Sequence, residues 1–337
     1  MQDDTSLKGK TILITGATGS FGRAAVKKLL ENDLCEKVIV FSRDEWKQWE
    51  MRQSEPIFNH EKIRYFLGDV RDSKRLALAF REVDIVIHAA ALKQVPAAEY
   101  NPTEFIQTNV HGAMNVIENA LACGVQKVIA LSTDKSVNPT NLYGATKLCS
   151  DKLFIAANSY VGKKGFPLFS VVRYGNVLGS RGSIVPTWQN MVLQGVKKLP
   201  ITHPEMTRFW IKLNDSADFV LKCVGNMRGA EIFVPKIPTI SIVELAKAVA
   251  PELDLEFVGI REGEKLHELL ISQDEARYTL DMGNYYMLLP PTFNKSFEER
   301  SERRNGVRVK EHFSYASDEN QNRLEGEDVA DFLKRTT

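Results

Sequence analysis

The feature that most restricts the fold is an alternation of two periods. From Lys10 to about Ser170, short β-branched apolar runs are separated by longer stretches of helical period. The strand candidates are KTILIT, KVIVFS, IRYFLGD, DIVIHAA, VQKVIALS and FPLFSVVRY. The helices between them include GRAAVKKLLEN, NPTEFIQTNVHGAMNVIENALACG and TKLCSDKLFIAANSY. Strands that are apolar throughout, separated by helices, predict a parallel sheet covered on both faces. The expected fold class is α/β, a doubly wound parallel sheet with its ligand crevice at the carboxyl ends of the strands.

The first of those ends carries TGATGSFG, where Gly16, Gly19 and Gly22 form GxxGxxG directly between a strand and a helix. Such a turn is tight, lets the backbone approach a pyrophosphate and lets the helix pack closely on the strand. The motif predicts a dinucleotide site that includes Thr18, Ser20 and Phe21. An NAD site would place an acid at the end of the second strand, but here Ser42 stands there, followed by Arg43, with Lys47 one helical turn on. Two cations in reach of a ribose 2′-phosphate favour NADP, although Asp44 between them opposes it. Asp69 and Val70 end the third strand, and Ala89 and Ala90 the fourth, where the adenine and the rest of the dinucleotide are expected.

Composition excludes several other classes. The 337 residues carry 44 basic and 43 acidic side chains, a formal charge of +1, so no global field draws the chain to nucleic acid or an anionic membrane. The four cysteines, Cys35, Cys123, Cys149 and Cys223, show no CxxC pair and no metal-ligand spacing, so no metal site is expected. The start, MQDDTSLKGKTILITG, has neither a basic nor a long apolar stretch, and no run approaches the roughly 18 apolar residues of a membrane helix. A soluble cytoplasmic protein is expected, its partners small molecules and other copies of itself.

The chemistry concentrates in LSTDKSVNPTNLYGATK. Tyr143 and Lys147 share a face at the start of a helix, and a lysine beside a tyrosine favours phenolate, so Tyr143 is expected to have a lowered pKa and to act as a base toward a sugar hydroxyl. Lys147 would also hold the nicotinamide ribose. Leu131 and the pair Ser132-Thr133 end the fifth strand just before them. With the glycine motif upstream, this constellation resembles the extended short-chain dehydrogenase/reductase family, over about residues 7–289. The resemblance implies a Rossmann domain over residues 1–175, with returning segments around 206–240. A substrate-binding subdomain and tail would take residues 176–205 and 241–337.

Within that family, members that epimerise nucleotide sugars mostly carry small hydroxyl or apolar residues where this chain has Thr133, Asp134 and Lys135. The 4,6-dehydratases place acid/base residues there, because they must also remove the C5 proton and expel the C6 hydroxyl. Asp-Lys in STDKSVNPTNLYGATKLCSDKLF resembles the inverting members that act on UDP-N-acetylglucosamine at the start of pseudaminic acid synthesis; retaining members usually show Asp-Glu. The segments SRDEWKQWEM, HAAALKQVPAAEYNP, SVVRYGNVLGSRGSIVP, MTRFWI and GIREGEKLHELLI match the same subgroup. The resemblance implies Tyr143 as the C4 base and Lys135, kept neutral by burial and by Lys147, as the C5 base. Asp134 becomes the acid at C6. It also implies Lys93 at cofactor and sugar, Asn176, Val177, Thr187 and Met206 around the substrate, Arg208 and Arg261 at the diphosphate, and Glu264 at the uridine ribose. A C4 epimerase, a retaining dehydratase and a non-enzymatic NADP sensor remain as rivals. Loss of water separates the first, and retention of Tyr143 and Lys147 argues against the last.

Other prominent residues read as structural. His88, at a strand end, and His267, in KLHELL, are expected to be packed. Trp46 and Trp49 are expected to pack a helix near the adenosine, and TFNKSFEERSERRNGVRVKEH after Pro291 is expected to be a solvated loop.

Overall fold

The computed structural model describes residues 7–163, 165–292, 296–302 and 304–334. The predicted strands all form: β1 (Thr11–Thr15), β2 (Lys37–Ser42), β3 (Ile63–Leu67), β4 (Ile85–His88), β5 (Lys127–Thr133) and β6 (Leu168–Tyr174). They pair in parallel in the spatial order β3-β2-β1-β4-β5-β6, the doubly wound arrangement. Ile12, Leu13 and Ile14 of β1 and Val128 and Ile129 of β5 are fully covered, each burial contributing about 1.5–3 kcal/mol. The connecting helices include α1 (Ser20–Glu31), α2 (Glu45–Ser54) and α3 (Ser73–Ala79).

Beyond β6 the sheet continues. Ile232–Pro235 adds in parallel, and Tyr285–Leu288, Thr279–Asp281 and Val307–Arg308 add antiparallel, making ten strands. The segment 241–337, expected on the substrate side as a whole, is thus divided. Leu270, Leu280, Met287, Leu288 and Tyr315 join the main core, while a second core gathers Val185, Trp188, Leu199, Ile201, Trp210, Ile240, Leu245 and Val329. The cleft lies between these two cores.

Three local features differ from the sequence expectation. The helix expected across 101–124 is interrupted by a π-helical turn, Ile106–His111, between Pro102–Phe105 and Gly112–Cys123. Within that turn the Asn109 side chain is buried and bonds the backbone N–H and carbonyl of Leu92, at 2.8 and 2.9 Å, and Thr146. Trp46 and Trp49 pack on each other, ring centroids 4.7 Å apart, and are 64% and 51% exposed. They do not pack their helix onto the body, because α2 buries only Gln48 and Met51. The charged segment after Pro291 is tied down rather than solvated. Arg300 donates to the carbonyls of Gly229 and Ala230, and Arg304 pairs with the fully buried Glu231, which requires a cation. Residues 293–295 and 303 of that segment lie outside the described residues.

Candidate active site

Above the carboxyl ends of β1, β2, β4 and β5 opens a cleft of about 830 Å³. Its floor is the glycine turn. Gly16 has φ +68°, and a Cβ there would come within 2.9 Å of the Ala90 backbone; at Gly22 it would lie 2.4 Å from Ala17 Cα. Neither position admits a side chain, so α1 is drawn onto β1 with its N-terminus facing the cleft. That cradle fits the pyrophosphate of a dinucleotide. Thr18, Gly19, Ser20 and Phe21 line the same wall, and Asp69, Val70, Ala89 and Ala90 the next.

At the adenosine end, Ser42 is buried and bonded by Gln48, and Arg43 and Lys47 project at the rim. Arg43 lies 3.7 Å from half-buried Asp69 and Lys47 3.1 Å from Asp44, pairs open to solvent on the cation's side and of little intrinsic strength. An incoming phosphate would displace them at small cost. Arg181, which the sequence reading passed over, donates its backbone N–H to Ser20 at 3.0 Å and pairs with Glu50 above the same turn.

The reactive end is built by β5 and the helix Leu142–Ala157. Asn141 caps that helix by accepting from the Gly144 N–H at 2.8 Å, a contact worth about 1 kcal/mol. A Cβ at Gly144 would sit 2.1 Å from the Lys135 carbonyl oxygen, so the absence of a side chain there lets the helix and the 134–136 turn touch. Tyr143, Lys147, Leu131, Ser132, Thr133 and Lys135 all face the cleft. Asp134 does not: it is 0% exposed, behind Lys135, with Oδ1 accepting from Thr133 at 2.9 Å and from Lys135 at 3.0 Å.

Two electrostatic expectations are corrected here. Lys135 is not neutral. Burial works against its ammonium, but Asp134 and Glu268, each 3.0 Å from Nζ, more than offset it, and its pKa lies above the ordinary lysine value. Tyr143 is not pulled toward phenolate: burial pushes it up to about 12, with Lys135 and a Thr133 hydrogen bond opposing. Burial does lower Lys147, against Asp151, and it lowers Lys93, with Lys135 adding to the effect. His88 is buried against Thr15 at 2.8 Å, its pKa held at about 3 by burial and by Lys147, and His267 bonds Thr207 at 2.8 Å.

On the other side of the cleft stand Lys93, Asn176, Val177, Thr187, Met206, Arg208, Arg261 and Glu264, brought together from five separate segments. Arg208 is largely committed: it donates to the carbonyls of Thr207, Leu266 and Lys265 at 2.7–3.0 Å, which makes it a brace of the 265–268 segment. Two buried acids escaped the sequence reading. Glu268 flanks Lys135. Asp151 accepts from Ser132 at 2.8 Å and lies 3.7 Å from Arg173, itself held by both oxygens of Glu275 at 3.1 Å. The available signal was an acid facing inward among apolar neighbours, in HELLI and in CSDKLF.

Sequence comparison places the chain. The profile of a family described as "Polysaccharide biosynthesis protein" matches residues 12–290. The chain belongs to this family, within the extended short-chain dehydrogenases/reductases. It is 53% identical, over 97% of its length and 98% of the relative's, to a Campylobacter jejuni protein named UDP-N-acetylglucosamine 4,6-dehydratase (inverting). It is 44% identical, over 83% of its length and 82% of the relative's, to a Rickettsia bellii UDP-glucose 4-epimerase. Among solved structures, Pen from Bacillus thuringiensis superposes with a TM-score of 0.87 at 32% identity, covering 98% of each chain.

Proposed function

We propose that this chain is an inverting UDP-N-acetylglucosamine 4,6-dehydratase that uses NADP. The observation that carries the reading is the ion pair of buried Asp134 with Lys135, which faces the cleft with Tyr143 at the end of β5. An epimerase moves hydride out of and back to C4 and needs no acid and base for C5 and C6. The near full-length likeness to the Campylobacter jejuni relative supports the same choice.

A bound nicotinamide supplies the hydride acceptor for C4 and the hydride donor for C6, so the cycle is redox-neutral. The chain supplies the proton chemistry. Tyr143 is protonated in the free protein and is hydrogen-bonded to Thr133, whose hydroxyl donates to Asp134. A proton leaving Tyr143 along that chain produces two useful groups at once: a phenolate that takes the C4 hydroxyl proton, and a protonated Asp134. The 4-ketone acidifies C5, Lys135 removes that proton, and Asp134, which does not reach the cleft, passes its proton to the departing C6 hydroxyl through the Thr133 hydroxyl, which lines it. Each positioned acid or base contributes about 10²–10⁴-fold. Lys147 orients the nicotinamide ribose, while Arg261 and Glu264 at the cleft rim receive the UDP.

The preference for NADP rests on Arg43 and Lys47. Arg43→Ala is expected to weaken NADP by about 1.5–3 kcal/mol, the scale of a hydrogen bond to a charged group. Equal affinity of the wild-type protein for NAD and NADP would refute the preference. For the reaction, the product from UDP-N-acetylglucosamine is to be determined by NMR. The expected product is UDP-2-acetamido-2,6-dideoxy-β-L-arabino-hexos-4-ulose; an isomer of unchanged mass would assign an epimerase.

A further inference from the structure

Lys135 is an ammonium in the free protein, so as a C5 base it must first give a proton to a neighbour. Two carboxylates lie within hydrogen-bond distance of its Nζ, Asp134 and Glu268, both at 3.0 Å. Asp134 also ends the chain from Tyr143 through Thr133 and receives a proton from that side. Glu268 is differently placed. It is 2% exposed, its backbone is clamped to Ser317 by two hydrogen bonds of 2.9 Å, and its Oε2 is buried without a hydrogen-bond partner among the described residues. Lys265 and Arg208 approach it only to 3.8 and 3.9 Å. The charged and titratable groups facing Lys135 are therefore Asp134, Glu268, Arg208, Tyr143, Lys93 and Lys265.

We propose that Glu268 takes the proton that Lys135 must lose before it can act at C5, and so is a positioning residue that works through Lys135; this rests on the dehydratase reading above. The proton count then closes. Tyr143 passes one proton through Thr133 to Asp134 and regains one from the C4 hydroxyl. Lys135 passes one to Glu268 and regains one from C5. Asp134 loses its proton with the C6 hydroxyl as water. After hydride reaches C6, solvent delivers one proton to C5 on the face opposite Lys135 and Glu268 releases its proton to solvent, so Glu268 and Asp134 end as carboxylates with Lys135 again an ammonium. The substrate's net loss is one proton from the C4 hydroxyl, which stays on Tyr143 in place of the one Tyr143 gave up, and the C6 hydroxyl.

The test compares wild type, Glu268→Gln and Glu268→Asp on UDP-N-acetylglucosamine in D₂O, following C5 deuteration, water loss by mass and nicotinamide reduction by absorbance, across a pH series. In Glu268→Gln, C5 exchange and water loss are expected to fall about 10²–10⁴-fold at neutral pH. They should recover by at least about tenfold at alkaline pH, because solvent can then remove the Lys135 proton and one anion holding it is gone. Glu268→Asp keeps a carboxylate and should show the wild-type shape of pH profile at a reduced rate. Wild-type rates in Glu268→Gln, or a loss of the same factor at every pH, would overturn the proposal. If Glu268→Gln does not fold, Glu268→Asp decides: an alkaline recovery in that variant would also overturn it. A wild-type protein that forms no dehydrated product would instead refute the dehydratase reading itself.

Discussion

Arg173→Met should destabilise the protein by about 3–5 kcal/mol at pH 7, and by less in mild acid. Arg173 is 1% exposed and serves two acids: it is 3.7 Å from Asp151, and its Nη1 is 3.1 Å from each Glu275 oxygen. Removing one partner of a buried ion pair leaves the other charge uncompensated, which costs about 3–5 kcal/mol. Glu275 keeps the Ser272 backbone N–H at 3.0 Å, so the larger share of the cost falls on Asp151. Burial already raises the Asp151 pKa, and Arg173 is the first of the groups that pull it back. Without the arginine, its folded-state pKa rises further above the unfolded value. The folded state then binds more protons than the unfolded one, so the variant loses stability as pH rises through that window and regains it on acidification. The assay is urea unfolding of wild type and variant at pH 7 and pH 5. A loss below about 1 kcal/mol at pH 7, the level of an exposed pair, or an equal loss at both pH values, would refute the reasoning.

Two further outcomes follow from the same structure. Gly22→Ala places a Cβ 2.4 Å from Ala17 Cα, so α1 must move off β1; a stability loss of about 1–3 kcal/mol and at least tenfold weaker NADP binding are expected, and unchanged NADP titration would show that this turn does not hold the pyrophosphate. His88, with a folded pKa of about 3, lies below its unfolded value, so the unfolded state binds more protons and stability is lost as pH falls from about 6.5 toward 3. The His88→Asn variant should lack that contribution, at most about 1.4 kcal/mol per pH unit, and an unchanged stability-against-pH slope between pH 6 and pH 4 would contradict it.

What could be read from the chain and what could not divide along a physical line. The six parallel strands and the glycine turn are written in local pattern: apolar runs of strand length, and glycines where the Ala17 and Ala90 backbones leave no room. That Tyr143 and Lys147 both face the cleft follows from helical spacing alone. Charge states do not follow from spacing. Burial and a nearby Lys147 predict a neutral Lys135, whereas two carboxylates touch it, Asp134 and, brought in from far downstream, Glu268. Helical spacing predicts a Tyr143 acidified by Lys147, whereas burial, against Ala98 and Phe105, governs it. The late strands Thr279–Asp281 and Tyr285–Leu288 return to the main sheet through long-range pairing that no local period announces. Arg300 and Arg304 read as surface charges because the buried Glu231 that holds Arg304 carries no sign of its burial in sequence.

The most direct test of the account compares wild type with Lys135→Met on UDP-N-acetylglucosamine in D₂O, following nicotinamide reduction, deuterium at C5 and loss of water by mass. If Tyr143 and Lys147 serve oxidation while Asp134 and Lys135 serve elimination, wild type should lose one water and carry deuterium at C5. Lys135→Met should still reduce the nicotinamide, yet lose C5 exchange and dehydration by about 10²–10⁴-fold. Exchange and dehydration at the wild-type rate in Lys135→Met would show that Lys135 is not the C5 base and would contradict the central claim.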